Sequence, residues 1–234
     1  MPKIYQALAT VAKEREKVSR VIQLPGTKAV TNNNPIGHKM TEMYQLIRSQ
    51  RTNDSTGVIQ FIGTHKGAGT STLLRTFAEV VSTRLEKSVL IVDADPQASQ
   101  AAHFTDLSDS SSSKSNPNVI RRVGNSNLYL IQARFGRDSD NAYLGLPYTQ
   151  RQLVALKKHY DLVLVDSGPS QESSDNIALT KNVDGVIIVL EANKTRWQVA
   201  HHLKEKIEQQ GTRILGTMLN GHRHHIPDFV YKRL

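Results

Sequence analysis

Six apolar runs of strand length recur along the chain: GVIQFIG (57–63), SVLIVDAD (88–95), NLYLIQA (127–133), DLVLVDSG (161–168), DGVIIVLEA (184–192) and RILGTMLN (213–220). Most are continuous Val/Ile/Leu stretches rather than strict alternations, which suits strands buried on both faces of a parallel sheet. Helix-length segments separate most of them, among them STLLRTFAEVVSTRLEK (71–87) and TRWQVAHHLKEKIEQQ (195–210). This alternation predicts a doubly wound α/β domain, one mostly parallel sheet flanked by helices, over residues 52–221. Upstream, Ile4, Leu8 and Val11 have helical spacing and predict an N-terminal amphipathic helix within 1–22. Residues 23–51 read as a linker rich in Pro, Gly and Asn, followed by a short helix over Thr41 to Gln50. The serine-rich stretch 108–118 reads as an insertion, and 222–234 as a basic C-terminal tail.

Composition narrows the chemistry. The 234 residues include 38% hydrophobic positions, enough for one globular domain with a sizeable core. There is no cysteine, which removes disulfides, thiol nucleophiles and cysteine metal sites. The N-terminus lacks the apolar run of a signal peptide, and no window approaches a membrane span, so the expected location is cytoplasmic. The net charge of +9 lies at the two ends. Residues 1–51 hold nine Lys/Arg against three Asp/Glu, residues 211–234 hold four against one, and the body balances at seventeen each. Basic ends favour anionic partners such as lipid headgroups, nucleic acid or acidic protein tails; solubility alone is the competing explanation.

The polar residues collect where the predicted strands end, which in this architecture is where ligands sit. The first run passes into GTHKGAGTS (63–71), close to the phosphate-binding pattern G-x-x-x-x-G-K-[ST]. Gly69 and Ser71 occupy the last Gly and the Ser of that pattern, and Thr70 stands at the lysine. Asp93 and Asp95 fall at the tip of the second run and Asp166 at the tip of the fourth. A hydroxyl with carboxylates from neighbouring strands is the donor set that holds Mg²⁺ against nucleotide phosphates. The competing role for Asp93 and Asp166 is capping of the helices that follow.

Taken in order, this loop, VLIVDADPQASQ and DLVLVDSGPS resemble the deviant P-loop ATPases that include bacterial tyrosine kinases and the partitioning and division-site ATPases. Further stretches resemble the tyrosine-kinase branch, in particular its exopolysaccharide-biosynthesis members: KIYQALATVAKERE, EMYQLIRSQ, VDGVIIVLEANKTRWQVA and LNGHRHHIPDFVYKRL. The resemblance implies that Lys66, Gly67, Ala68, Gly69, Thr70, Ser71 and Thr72 surround the phosphates. It implies Ser71, Asp95 and Asp166 around Mg²⁺, with Asp93 as the base for an attacking tyrosine hydroxyl. The implied cofactor is Mg-ATP or ADP. The implied partner is an inner-membrane polysaccharide copolymerase or export protein, with the chain peripheral to that membrane; self-association and anionic lipid are further candidates, and nucleic acid is disfavoured.

Several positions depart from the family pattern. Thr70 replaces the Walker A lysine, so nucleotide binding is expected to be weak. His65 stands at the signature lysine of the partitioning ATPases, Gln97 at a usual arginine, and Gln45 interrupts the E-x-x-R-x-x-R oligomerisation motif between Glu42 and Arg48. Tyr231 is the only tyrosine in the last seventy residues, where the kinases carry a tyrosine cluster. These departures together predict a pseudo-kinase component of exopolysaccharide biosynthesis that acts by association. The alternative is an active autokinase or ATPase in which Lys66 swings inward to replace the missing lysine. DNA partitioning fits the basic ends but not the kinase-like termini. His222, His224 and His225, with His201 and His202, lack the partner spacing of a metal site, and Trp197 is expected in core or interface.

Overall fold

The computed structural model describes residues 35–50, 57–94, 120–132, 153–172 and 174–221. The predicted N-terminal helix, the serine-rich insertion, Asp95, Gln97 and the basic tail with Tyr231 and its histidines lie outside these residues. A first helix, α1 (Pro35–Ser49), is followed by β1 (Gly57–Gly63), α2 (Thr70–Arg84) and β2 (Val89–Asp93). Then come β3 (Arg121–Val123), β4 (Leu128–Gln132), β5 (Leu162–Asp166) and a single helical turn pair, α3 (Ser174–Ala178). The described chain ends with β6 (Gly185–Glu191), α4 (Trp197–Gln209) and β7 (Ile214–Asn220).

The strands form one sheet in the order β3-β4-β2-β5-β1-β6-β7, parallel except where β3 pairs antiparallel with β4. Every residue of β1, β2 and β5 is buried, as continuous apolar runs in the middle of a two-sided sheet must be. Strand parity divides the core. Ile59 and Phe61 face α1 and α2, where they join Met40, Tyr44, Ile47, Leu74, Phe77 and Val81. On the other face Val58, Val163 and Val165 meet Leu153, Leu156 and Tyr160, and Ile62, Val186 and Ile188 meet Leu203 and Ile207 of α4. The Phe61 and Phe77 rings lie 5.9 Å apart and lock α2 onto the centre of the sheet.

Two elements differ from the sequence expectation. Strand β3 is only three residues, two of them arginine, so it gives no apolar run; it exists because a turn with Gly124 at φ 57° folds it onto β4. Ser126 Oγ donates to Val123 O at 2.7 Å and Arg122 Nε donates to Ser126 O at 2.9 Å, closing that turn. Helix α1 begins at Pro35, inside the stretch read as linker, because proline is well suited to a first helical turn. Its Met40, Tyr44 and Ile47 belong to the main core.

The strand order places the site. From β1 the chain crosses to β2 on one side, while from β5 it crosses to β6 on the other, and β1 and β5 are neighbours. The crevice beyond their carboxyl ends is a topological switch point, the preferred ligand site of open α/β sheets.

Candidate functional site

The loop between β1 and α2 is held in shape by its own backbone. Gly67 and Gly69 have φ of 85° and 86°, a left-handed conformation that side-chain-bearing residues rarely adopt. Ala68 N donates to His65 O at 3.2 Å, Ser170 N donates to Gly63 O at 2.9 Å, and Leu73 N begins the helix by donating to Gly69 O at 2.9 Å. Gly69 is the N-cap of α2 and no side chain caps the helix, so the first amides and the positive end of the dipole face the loop. Asn220, at the end of β7, donates from Nδ2 to Ala68 O at 2.9 Å and lies against Gly69, where any Cβ would collide with it. The loop is thus a preformed anion cradle, fastened at one side by the sheet's last strand.

Thr70, in the lysine position, does not extend over this cradle. Its hydroxyl folds back against Gly63, so that a Cβ on Gly63 would strike it. Thr70, and not Ser71, opens the helix; Ser71 and Thr72 follow in the first turn. Lys66 is on the exposed crest of the loop.

His65 is engaged sideways. Its Nε2 lies 2.9 Å from Glu191 Oε2 at the end of β6, and its Nδ1 lies 3.0 Å from the Thr64 hydroxyl. Thr64 in turn meets Thr195 Oγ1 at 3.3 Å, and Glu191 N donates to that same Thr195 hydroxyl at 3.0 Å. Lys194 Nζ completes the cluster 2.6 Å from Glu191 Oε1. Hydrogen bonds from Lys194 and then from His65 hold the Glu191 carboxyl below the usual carboxylate range, against the opposing effect of burial.

The carboxylates sit deeper. Asp93 and Asp166 end β2 and β5, are register partners, and are each 1% exposed. Ala94 N donates to Asp166 O at 2.8 Å, which ties the two strand tips together. Neither helix capping nor a surface role fits Asp166: α3 starts eight residues later, at Ser174. Below them Gln60 Nε2 donates to Ser167 Oγ at 2.8 Å, and Ser167 Oγ donates to Phe61 O at 3.2 Å, cross-linking β1 to β5 beneath the loop. The donor set of one hydroxyl and two strand-tip carboxylates consists of hard oxygens, and Asp166 Oδ1 is a buried acceptor that no hydrogen bond satisfies. Such donors fit Mg²⁺ beside a phosphate-binding loop. Ser71 and Asp166 would hold it, with Asp95, the third expected ligand, outside the described residues.

The sequence reading missed Glu191, Thr195, Asn220 and Arg75. The first and third end apolar runs, so the rule that found Asp93 and Asp166 reaches them too. Arg75 is one helical turn beyond Ser71 and half-buried, and only that register marks it. Trp197 is 71% exposed, at the start of α4, which excludes the core and leaves an interface as the other expected place; its ring lies 4.9 Å from that of His201. Among the described residues no group of three or more metal-ligating side chains forms a cluster. No described helix is long and apolar enough to cross a membrane.

Known proteins agree with this geometry. Residues 56–217 match the family described as the AAA domain. The kinase domain of the Escherichia coli tyrosine kinase ETK superposes with a TM-score of 0.68 at 18% identity, covering 92% of this chain and 94% of that one. A plasmid partition protein from Borrelia burgdorferi superposes with a TM-score of 0.55 at 20% identity, covering 76% of this chain and 87% of that one. At these identities the likeness is one of fold. In sequence, the tyrosine-protein kinase CpsD of Streptococcus agalactiae serotype III is 29% identical over 79 residues, 34% of this chain and 34% of that protein. The match thus spans about a third of the length of the curated relatives. With its loop, strand-tip carboxylates and strand order all in place, the chain belongs to the AAA domain family.

Proposed function

We propose that this protein is a tyrosine-kinase-like component of exopolysaccharide biosynthesis or export that works by association rather than by phosphotransfer. The observation that carries this reading is Thr70: the position that should supply a cation to the β and γ oxygens holds a hydroxyl folded back on Gly63. Mg-nucleotide, when bound, would supply the transferable phosphoryl group and the charge that polarises it. The chain's own residues then do the following. Loop amides and the α2 dipole would receive the phosphates. Ser71 and Asp166 would hold the metal side, together with Asp95. Asp93, buried beside Asp166, would be the group to take a proton from a tyrosine hydroxyl. Without a lysine at position 70, charge growing on the γ oxygens is left without its usual partner, and catalysis suffers more than binding.

Association is the function that remains. The basic arm 1–51 and the basic tail suit docking to an inner-membrane copolymerase or export protein, to anionic lipid, or to further copies of the chain, and this would keep a cytoplasmic protein at the membrane periphery. The second reading, an active autokinase or ATPase, is favoured by one feature: Lys66 lies in the loop itself. Incubation of the full chain with labelled ATP and Mg²⁺ separates the two. Negligible turnover and no label on protein are expected. Turnover abolished by Lys66→Ala would favour the active enzyme.

A further inference from the structure

Trp197 and Leu219 are large apolar side chains that the fold leaves 71% and 55% exposed. Leu219 is the register partner of Leu190 in β6, and Leu190 packs with Leu203 and Ile207 of α4. Register partners point to the same side of a sheet, so Leu219 faces the α4 side. It does so on β7, the last strand, with no further strand beyond it. Helix α4 starts at Trp197, just past the end of β6 at Glu191, and lies against β7. The indole and the leucine therefore share one face and one end of the sheet, at its outer corner. We infer that this corner is a membrane-contact patch whose partner is the surface of an anionic bilayer. The inference names one partner for the docking reading proposed above and rests on it.

Charge selects the partner. From Ala192 to Lys204 the chain carries no Asp or Glu. Lys194 and Lys204 are paired with Glu191 and Glu208, so the positive field at the indole comes from the exposed Arg196 beside it. The basic tail, with Arg223, Lys232 and Arg233, follows Gly221 and so departs from this same corner, two residues after Leu219. The exposed acids Glu172 and Asp175 at that end follow β5, three strands from β7. An indole with an aliphatic neighbour and an arginine suits the boundary of a bilayer. Ring and leucine enter the acyl region, while the guanidinium stays among the headgroup phosphates. Nucleic acid is the poorer fit. Single strands are held by stacking on open aromatic faces, whereas Trp197 already lies against the His201 ring at 4.9 Å and Leu219 offers no stacking surface.

Trp197 is the only tryptophan of the chain, so its emission reports this corner alone. The full chain is titrated with vesicles of equal parts phosphatidylglycerol and phosphatidylcholine. A blue shift is expected, with quenching by lipids brominated on their acyl chains; vesicles of phosphatidylcholine alone should give neither. Leu219→Ser should weaken partitioning, read from the same emission, by about tenfold, and Arg196→Gln by about fivefold. Both side chains are exposed, so neither change disturbs the core. Sedimentation with the anionic vesicles while the emission stays unchanged would overturn the patch and leave lipid docking to the arm or the tail. A shift given equally by polyglutamate or duplex DNA, with no quenching by brominated lipid, would also overturn it and assign the corner to an acidic macromolecule. Neither sedimentation nor shift would refute lipid docking altogether.

Discussion

Thr70→Lys restores the one loop residue whose absence defines this site, and its effect can be worked from the structure. The threonine hydroxyl lies over Gly63, so the introduced side chain must leave that spot and extend across the cradle between Gly67 and Ser71. There it can make a charge-assisted hydrogen bond to a phosphate oxygen, worth about 1.5–3 kcal/mol. A cation in the first turn of α2 opposes the helix dipole by about 0.3–1 kcal/mol, but it does so with and without nucleotide and leaves the binding difference unchanged. The gain is therefore about 1.5–3 kcal/mol, roughly ten- to a hundredfold in Kd for Mg-ATP. In the absence of nucleotide the variant should melt slightly below wild type, for the same dipole reason. Titration calorimetry with Mg-ATP and a thermal melt without it measure both signs. Unchanged affinity would refute the reasoning, because the amides, Gly69 and Ser71 are already arranged for a lysine.

Further expectations concern the core, the latch and the arm. Phe77→Ala removes a fully buried ring that holds α2 to β1, and should cost about 3–5 kcal/mol in urea unfolding; a loss below ~1 kcal/mol would mean α2 is not anchored there. Glu191 has a lowered folded-state pKa, so its contribution is present above the unfolded carboxylate value, about 4.3, and is lost as pH falls through the lowered folded value. Melting curves of wild type and Glu191→Gln should therefore differ near neutrality and converge in acid; a gap that widens in acid would contradict the assignment. Deleting residues 1–20 should leave the α/β domain folded by circular dichroism and weaken sedimentation with anionic vesicles, and equal binding by both proteins would exclude the arm as a docking element.

Much of this fold is legible from runs of apolar residues alone. β1, β2 and β5 are buried on both faces, so apart from the aspartates that close β2 and β5 and the hydrogen-bonded Gln60 of β1 their sequences are apolar, and the helix between β1 and β2 follows from its spacing of Leu74, Phe77, Ala78 and Val81. β3 is different in kind. Its Arg121 and Arg122 are half-exposed, and the strand is made by a turn and by pairing with β4, neither of which leaves an apolar signature. The site shows the same division. Asp93 and Asp166 are legible because a charge that ends an apolar run stands out. His65 is legible as a departure, but its bond to Glu191 joins residues 126 positions apart, which only the β1–β6 pairing brings together. Asn220 reaches Ala68 across 152 positions by the same kind of closure. Of the two places expected for Trp197, the core is excluded because the face of α4 that packs is set by Leu203 and Ile207.

The central claim is that a tyrosine-kinase fold here has kept its site and given up its chemistry. Intact-mass spectrometry of the purified full chain, before and after incubation with Mg²⁺ and excess ATP, tests it most directly, with Asp93→Ala as the control. The account predicts that neither wild type nor variant gains mass over its own starting value at any time point. A stoichiometric phosphate on wild type, mapped to Tyr231 and missing from Asp93→Ala, would contradict it and make the protein a working kinase.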